Sequence, residues 1–344
     1  MDNKIVRPLA LLPKIILIDG LTGTGKSMLG PLLGSLERIE LYRVEHHYEY
    51  LCILNHLGKI TSDAAASMLS MYGDLAVYNS MIGRETNFRK DDLSGVWSNP
   101  YWFRYLKRLM LPDGDSVRQR ILDERPMIQV STHQAMPAMQ VAFQAFGKRL
   151  EVIEMVRHPL YLLEHWVSYI DRHGTDVRDF TIWFEHKGKS LPWFAYGWED
   201  QYLASPPMDR VIYSIDKILA AADRTYQSLT PDQKQQVIEI PFEGFVVNPD
   251  KYIQEICRRL ETEPTKMTPR VMKDQRLPRE RVMGGPAKAI YKRYAWRAPD
   301  LNVSERAEFE SRRDGIKKQV SPAAFDVLMA LCSKYEAKYG LWFN

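Results

Sequence analysis

Eight residues near the N-terminus carry the strongest chemical signal in the chain: Gly20-Leu21-Thr22-Gly23-Thr24-Gly25-Lys26-Ser27. Their spacing, G-x-x-x-x-G-K-S, is the phosphate-binding P-loop pattern, and it follows a strand-like run, Lys14 to Asp19, and leads into helix-compatible Ser27-Met28-Leu29. Glycines at these positions let backbone N–H groups close around an anionic phosphate, and the following helix adds its positive end. Gly20, Thr22, Gly23, Thr24, Gly25, Lys26 and Ser27 are therefore the expected anion-binding set. Lys26 supplies a point charge to a terminal phosphate or sulfate, and Ser27 a ligand for Mg²⁺ where a metal is bound.

Further polar residues stand where apolar runs end. Ile128-Gln129-Val130-Ser131 runs into Thr132-His133, and Glu154-Met155-Val156 into Arg157-His158-Pro159, after which a helical stretch, Leu160 to Arg172, carries His165 and Ser168. Glu45 and Glu49 follow the run Ile39 to Val44, and Glu243 follows Val237 to Ile240. Two polar loops complete the set. One, Gly83 to Asp92, offers Arg84, Asn87 and Arg89 as acceptor-binding groups; the other, Arg279 to Gly285, offers Arg279 and Arg281 as anion binders.

The elements that must position these groups read as an α/β fold with three layers and a central, mainly parallel sheet. The expected strands are Lys14–Ile18, Ile39–Val44, Met127–Ser131, Leu150–Val156 and Val237–Ile240. In open parallel sheets ligands collect at the carboxyl ends of the strands, which is where the polar residues fall. The expectation is one P-loop domain over residues 1–344. It carries a helical insertion at 46–125, an aromatic insertion or lid at 170–210 (Trp183, Phe184, Trp193, Phe194, Tyr196, Trp198) and a C-terminal helical pair at 300–344. Ser321-Pro322 reads as an N-cap and first-turn pair, as does Asn248-Pro249, and Pro31 removes one hydrogen bond from the helix after the loop. A net charge of +4 is too mild for a nucleic-acid binder and suits an anionic ligand. No run matches a membrane span or a secretion signal. The three cysteines lie far apart, with neither metal nor disulfide spacing, so a reducing cytoplasm is the expected compartment. Oligomeric state stays open.

The order of these motifs resembles the PAPS-dependent sulfotransferases, PAPS being an adenosine with a 3′-phosphate and a 5′-phosphosulfate. The resemblance covers roughly residues 14–27 and 127–293. Within it, Thr132-His133 resembles the family's Thr-His pair at a strand end, and Arg157-His158-Pro159 its Arg-x-Pro turn. The stretch Phe242-Glu243 to Asn248-Pro249 resembles its acidic and Asn-Pro segment, and Arg279 to Gly285 its closing basic loop. The resemblance implies that His133 is the catalytic base and that residues 20–27 hold the phosphosulfate. It implies further that Arg157, with His165, Ser168, Arg279 and Arg281, holds the 3′-phosphate. The acceptor would be a hydroxyl or amine of a small molecule or glycan, with no metal required. Two departures stand out. The family's loop lysine precedes a Ser/Thr-Gly-Thr run, where Leu21 stands here and the lysine is Lys26; the family's serine eight residues after the Arg is replaced by His165, with Ser168 three further on. The loop itself is kinase-like. A small-molecule kinase using ATP and Mg²⁺, with Glu45 or Glu49 as base, is the alternative, and a nucleotide-sensing protein without acceptor chemistry a further one.

Overall fold

A computed structural model of the chain describes residues 3–286, 300 and 302–343. Its centre is β1, Lys14–Asp19, whose side chains divide between two cores. Ile15 and Leu17 enter one and Ile16 and Ile18 the other, the two-residue period of a strand covered on both faces. The sheet adds β2 (Arg43–Val44), β3 (Met127–Ser131), β4 (Leu150–Val156) and β7 (Val237–Pro241), all parallel, in the order β2-β3-β1-β4-β7. The three-layer α/β expectation holds. β1 lies between β3 and β4, so the chain leaves it to opposite sides and opens a crevice at the carboxyl edge.

Helix α1 (Lys26–Leu33) belongs to the second core, with Met28, Leu29, Leu32 and Leu33 buried. It ends two residues after Pro31. On the other face lie α2 (His47–His56), α3 (Ser62–Met81) and the helices Leu163–Ile170, Pro207–Ser228 and Pro322–Tyr339. No helix among the described residues is long and apolar enough to cross a membrane.

Two expectations change. Ile39–Val44 is not a full strand; only Arg43–Val44 pairs with β3, and Ile39 makes one isolated bridge to Met127. The cause is Glu40, whose buried carboxylate sits at 2.6 Å from both Arg108 and Ser80 and 3.0 Å from the Tyr105 hydroxyl. Glu40 N still donates to Met127 O (2.9 Å), but its carbonyl oxygen accepts from the Gln129 side chain (2.8 Å), and the pairing stops there. Asn248 occupies the N-cap position of the helix Pro249–Leu260 without a side-chain cap bond, whereas Ser321 caps its helix through Ala324 N as expected. The aromatic segment holds a two-stranded hairpin, β5 (Trp183–His186) and β6 (Lys189–Pro192), and buries Trp193 and Phe194 in the core against Trp166. Residues 287–293 of the family resemblance lie outside the described residues, as do 301 and 344 of the C-terminal pair.

Candidate active site

The P-loop is built as its sequence requires. Gly20, Gly23 and Gly25 take φ of 126°, 94° and 100°, values that L side chains rarely adopt. A Cβ on Gly25 would stand 2.5 Å from the Phe242 ring, and one on Gly20 2.2 Å from the Met155 carbonyl oxygen. The loop is thus wedged between the end of β4 and Phe242, and only glycine fits there. Thr24 Oγ1 donates to Leu21 O (2.8 Å), and Trp166 Nε1 donates to Thr22 O (2.9 Å). Lys26 is buried and donates to Gly20 O (2.5 Å) and Leu21 O (3.0 Å), closing the loop on itself. Burial lowers its pKa, while Asp19, Glu154 and Glu49 act to raise it. Ser27 stands half-buried in the first turn of α1.

Beneath the loop, Asp19 is fully consumed. It accepts from Thr132 Oγ1 (2.7 Å), Ala135 N (3.0 Å) and Met136 N (2.8 Å), and so pins the turn that follows β3. Its register neighbour Glu154 sits deep in the protein, and burial, reinforced by Asp19, pushes its carboxyl well above the usual range.

His133 emerges from that pinned turn. Its backbone N (2.7 Å) and Nδ1 (3.2 Å) both meet Glu49 Oε2, while His46 Nδ1 meets Glu49 Oε1 (2.9 Å). An ionised carboxylate only accepts, so each imidazole carries its proton at Nδ1. The two histidines hold Glu49 at about 2, against the upward push of burial. With Nδ1–H committed, the lone pair of a neutral His133 imidazole lies at Nε2. Thr22 of the loop, His46, Glu49 and His133 line one pocket of about 130 Å³, with Tyr169, His173 and Trp193 on its wall. His133 and the P-loop are brought together, as expected. Glu49 and His46 were not assigned this part by the sequence. The only local signal is the His46-x-x-Glu49 spacing, which puts both at the start of α2.

Arg157 lies on the other flank of the loop. Its Nη1 donates to Gly23 O (2.8 Å), its guanidinium carbon stands 4.6 Å from the Phe242 ring centroid, and Nε is 3.8 Å from Glu243. Burial lowers its pKa and Glu243 opposes. Glu243 in turn accepts from Tyr335 (2.6 Å) and from His158 N (3.2 Å). His165 abuts the loop, since a Cβ on Gly23 would stand 3.0 Å from its ring, and burial, then Arg157 and Lys26, push its pKa down to about 3. Arg279 lies over Phe242 from another side, at 5.6 Å, and donates to Val282 O (2.8 Å). Ser168 is half-buried one turn along the helix from His165. The loop, Arg157 and Arg279 thus form one basic cluster, with His165 beside it as a neutral imidazole.

Other expected groups lie apart from it. Arg281 reaches Asp300 O (2.7 Å). Glu45 is tied to Arg43 (2.6 Å) and His47 (3.5 Å) and does not line the pocket. Asn87 donates to Ser94 (2.9 Å) and accepts from Arg89 N (3.0 Å), shaping its own loop, while Arg84 and Arg89 are exposed; none of the three lines the His133 pocket.

No protein-family model matches the sequence, and no curated protein matches it. Solved structures do. The sulfotransferase domain from the curacin biosynthetic pathway aligns over 94% of this chain and 98% of its own, at 12% identity and TM-score 0.46. The sulfotransferase domain from the olefin synthase of Synechococcus PCC 7002 aligns over 92% and 97%, at 12% identity and TM-score 0.39. A sulfotransferase from Mycobacterium avium aligns over 97% and 78%, at 10% identity and TM-score 0.41. Likenesses this distant carry no residue roles across, so each role rests on the site's own geometry.

Proposed function

We propose that the protein is a sulfotransferase that uses PAPS and sulfates a hydroxyl or amine of a small-molecule or glycan acceptor. The observation that carries the reading is the pairing of two sites on one loop. Thr22 shares a pocket with a histidine whose Nδ1 is committed to a buried carboxylate, and the next residue, Gly23, is held by a half-buried arginine. The cradle suits the donor. Its glycines leave no room for a Cβ, and Arg157, Arg279 and His165 surround its far side. Residues 20–27 would hold the 5′-phosphosulfate, and Arg157 with His165, Ser168 and Arg279 the 3′-phosphate. The bound donor supplies the sulfuryl group. His133 takes the acceptor's proton at Nε2, and Glu49 fixes the tautomer and steadies the imidazolium that forms. Lys26 offsets charge gathering on the leaving phosphate.

The kinase alternative needs free carboxylates for Mg²⁺ and for a base. Here Asp19 accepts from three donors, burial raises the pKa of the Glu154 carboxyl, Glu45 is paired with Arg43 and Glu49 with two histidines. That donor set favours sulfuryl transfer, which needs no metal.

The test is a pair of variants assayed with PAPS across an acceptor panel. His133→Ala should lose about 10²–10⁴-fold in turnover while donor affinity stays. Arg157→Ala should lose donor affinity first. Full activity in both would refute the assignment.

A further inference from the structure

His46, Glu49 and His133 carry a second possibility that the base role leaves unused. Their three donor atoms lie within 4.8 Å of one another. Each histidine presents Nδ1 to a different oxygen of Glu49, at 2.9 and 3.2 Å, and the two rings stack at 5.6 Å with planes 18° apart. In a tetrahedral site with bonds of about 2.0–2.1 Å, neighbouring ligand atoms are roughly 3.3 Å apart; either Glu49 oxygen already stands near that spacing from one histidine, and a small side-chain rotation brings the other in. Two imidazoles and one carboxylate make the donor set of a borderline first-row cation such as Zn²⁺, not of Mg²⁺ or Ca²⁺, which prefer oxygen. Both histidines are about one-third exposed, so an ion can enter, and the pocket beside them leaves room for a water or substrate atom as fourth ligand.

We infer that His46, Glu49 and His133 form a binding site for a first-row divalent cation, and that the bound cation switches the proposed base off. The switch, which rests on the sulfotransferase reading, follows from the tautomer. Coordination at Nδ1 uses the lone pair there, so the proton of a neutral imidazole must sit on Nε2. The proton that His133 now gives to Glu49 moves, through solvent, to the nitrogen that would have received the acceptor's proton. Nε2 then has no lone pair to offer. No oxidant or further reactant is involved; the cation exchanges places with hydrogen bonds, and the same carboxylate that orients the base becomes a ligand.

Equilibrium dialysis of the EDTA-stripped full chain against Zn²⁺ tests the site without any activity. One tightly held ion per chain is expected. His46→Gln and His133→Gln should each weaken it by at least about 100-fold, since loss even of an outer-shell partner costs about 10–100-fold. His186→Gln, remote from the pocket, should change nothing. Absence of binding to the native chain, or binding unaltered in both pocket variants, overturns the site. Nitrogen-15 NMR of histidine-labelled native protein tests the switch, again without turnover. Zn²⁺ should move the His133 proton from Nδ1 to Nε2; an Nδ1–H that persists with Zn²⁺ bound overturns it. Neither readout depends on a sulfate donor, so failure of the metal site and failure of the sulfotransferase reading are told apart.

Discussion

The Glu40 cluster offers the clearest energetic test, because it anchors the chain just before the segment that carries His46 and Glu49. Glu40 is 1% exposed, bonded to Arg108, Ser80 and Tyr105, with Arg104 at 3.7 Å and its backbone oxygen bound by Gln129 (2.8 Å). Burial pushes its carboxyl up, but the two arginines and the hydrogen bonds bring it to about 2, from 4.5. At about 1.4 kcal/mol per unit, that depression corresponds to about 3 kcal/mol of stability at neutral pH. Arg108→Met strands the buried carboxylate and should cost about 3–5 kcal/mol in urea unfolding at neutral pH. The sign of the pH dependence follows from the depressed value. The contribution is complete above the unfolded carboxyl's range and disappears as pH falls toward about 2. Glu40→Gln removes the titration, so its deficit relative to the native chain should shrink by about 1 kcal/mol between about pH 5.5 and 3.5. A loss below about 1 kcal/mol for Arg108→Met, or a Glu40→Gln deficit that is flat in acid, refutes the reasoning.

Three further outcomes follow from the site. Glu49→Gln, assayed with EDTA present, should cut sulfuryl transfer by about 10²–10⁴-fold with donor affinity retained, because a neutral amide cannot steady the imidazolium that forms on His133; unchanged turnover would count against the dyad. Glu154→Gln should stabilise the protein, increasingly as pH rises above the ordinary carboxyl range, because a raised pKa means that ionisation favours the unfolded chain; denaturant titrations at several pH values read the trend, and a destabilisation that grows with pH would contradict it. Gly25→Ala, forced into φ of 100° and against the Phe242 ring, should abolish nucleotide-induced stabilisation in a melting assay, and a normal response would show the loop to be less constrained than described.

Much of the frame was legible in the sequence for a physical reason. Parallel strands covered on both faces appear as short, mostly apolar runs, so Lys14–Ile18, Met127–Ser131, Leu150–Val156 and Val237–Ile240 stand out, and the phosphate loop carries its own glycine spacing. Ile39–Val44 misled because an edge segment can trade ladder pairing for side-chain anchoring, and nothing local to Glu40 announces Arg108, 68 residues away. The same distance problem hid Glu49 as the partner of His133, 84 residues on. Its position at the start of α2 gave it a kinase-like appearance, and only the folded chain turns it toward an imidazole. In the polar loop, Asn87 is tied to Ser94 and to the backbone of Arg89, while the side chains of Arg84 and Arg89 stay exposed.

The central claim is that the loop and Arg157 together grip a doubly phosphorylated adenosine without a metal. Thermal melting with adenosine 3′,5′-bisphosphate in EDTA, beside ADP with Mg²⁺, tests it most directly. Ligand at about 100 times its Kd stabilises by about 2.7 kcal/mol. That shift is expected with the bisphosphate in EDTA, together with its loss in Arg157→Ala. A shift that appears only with ADP and Mg²⁺ would contradict it.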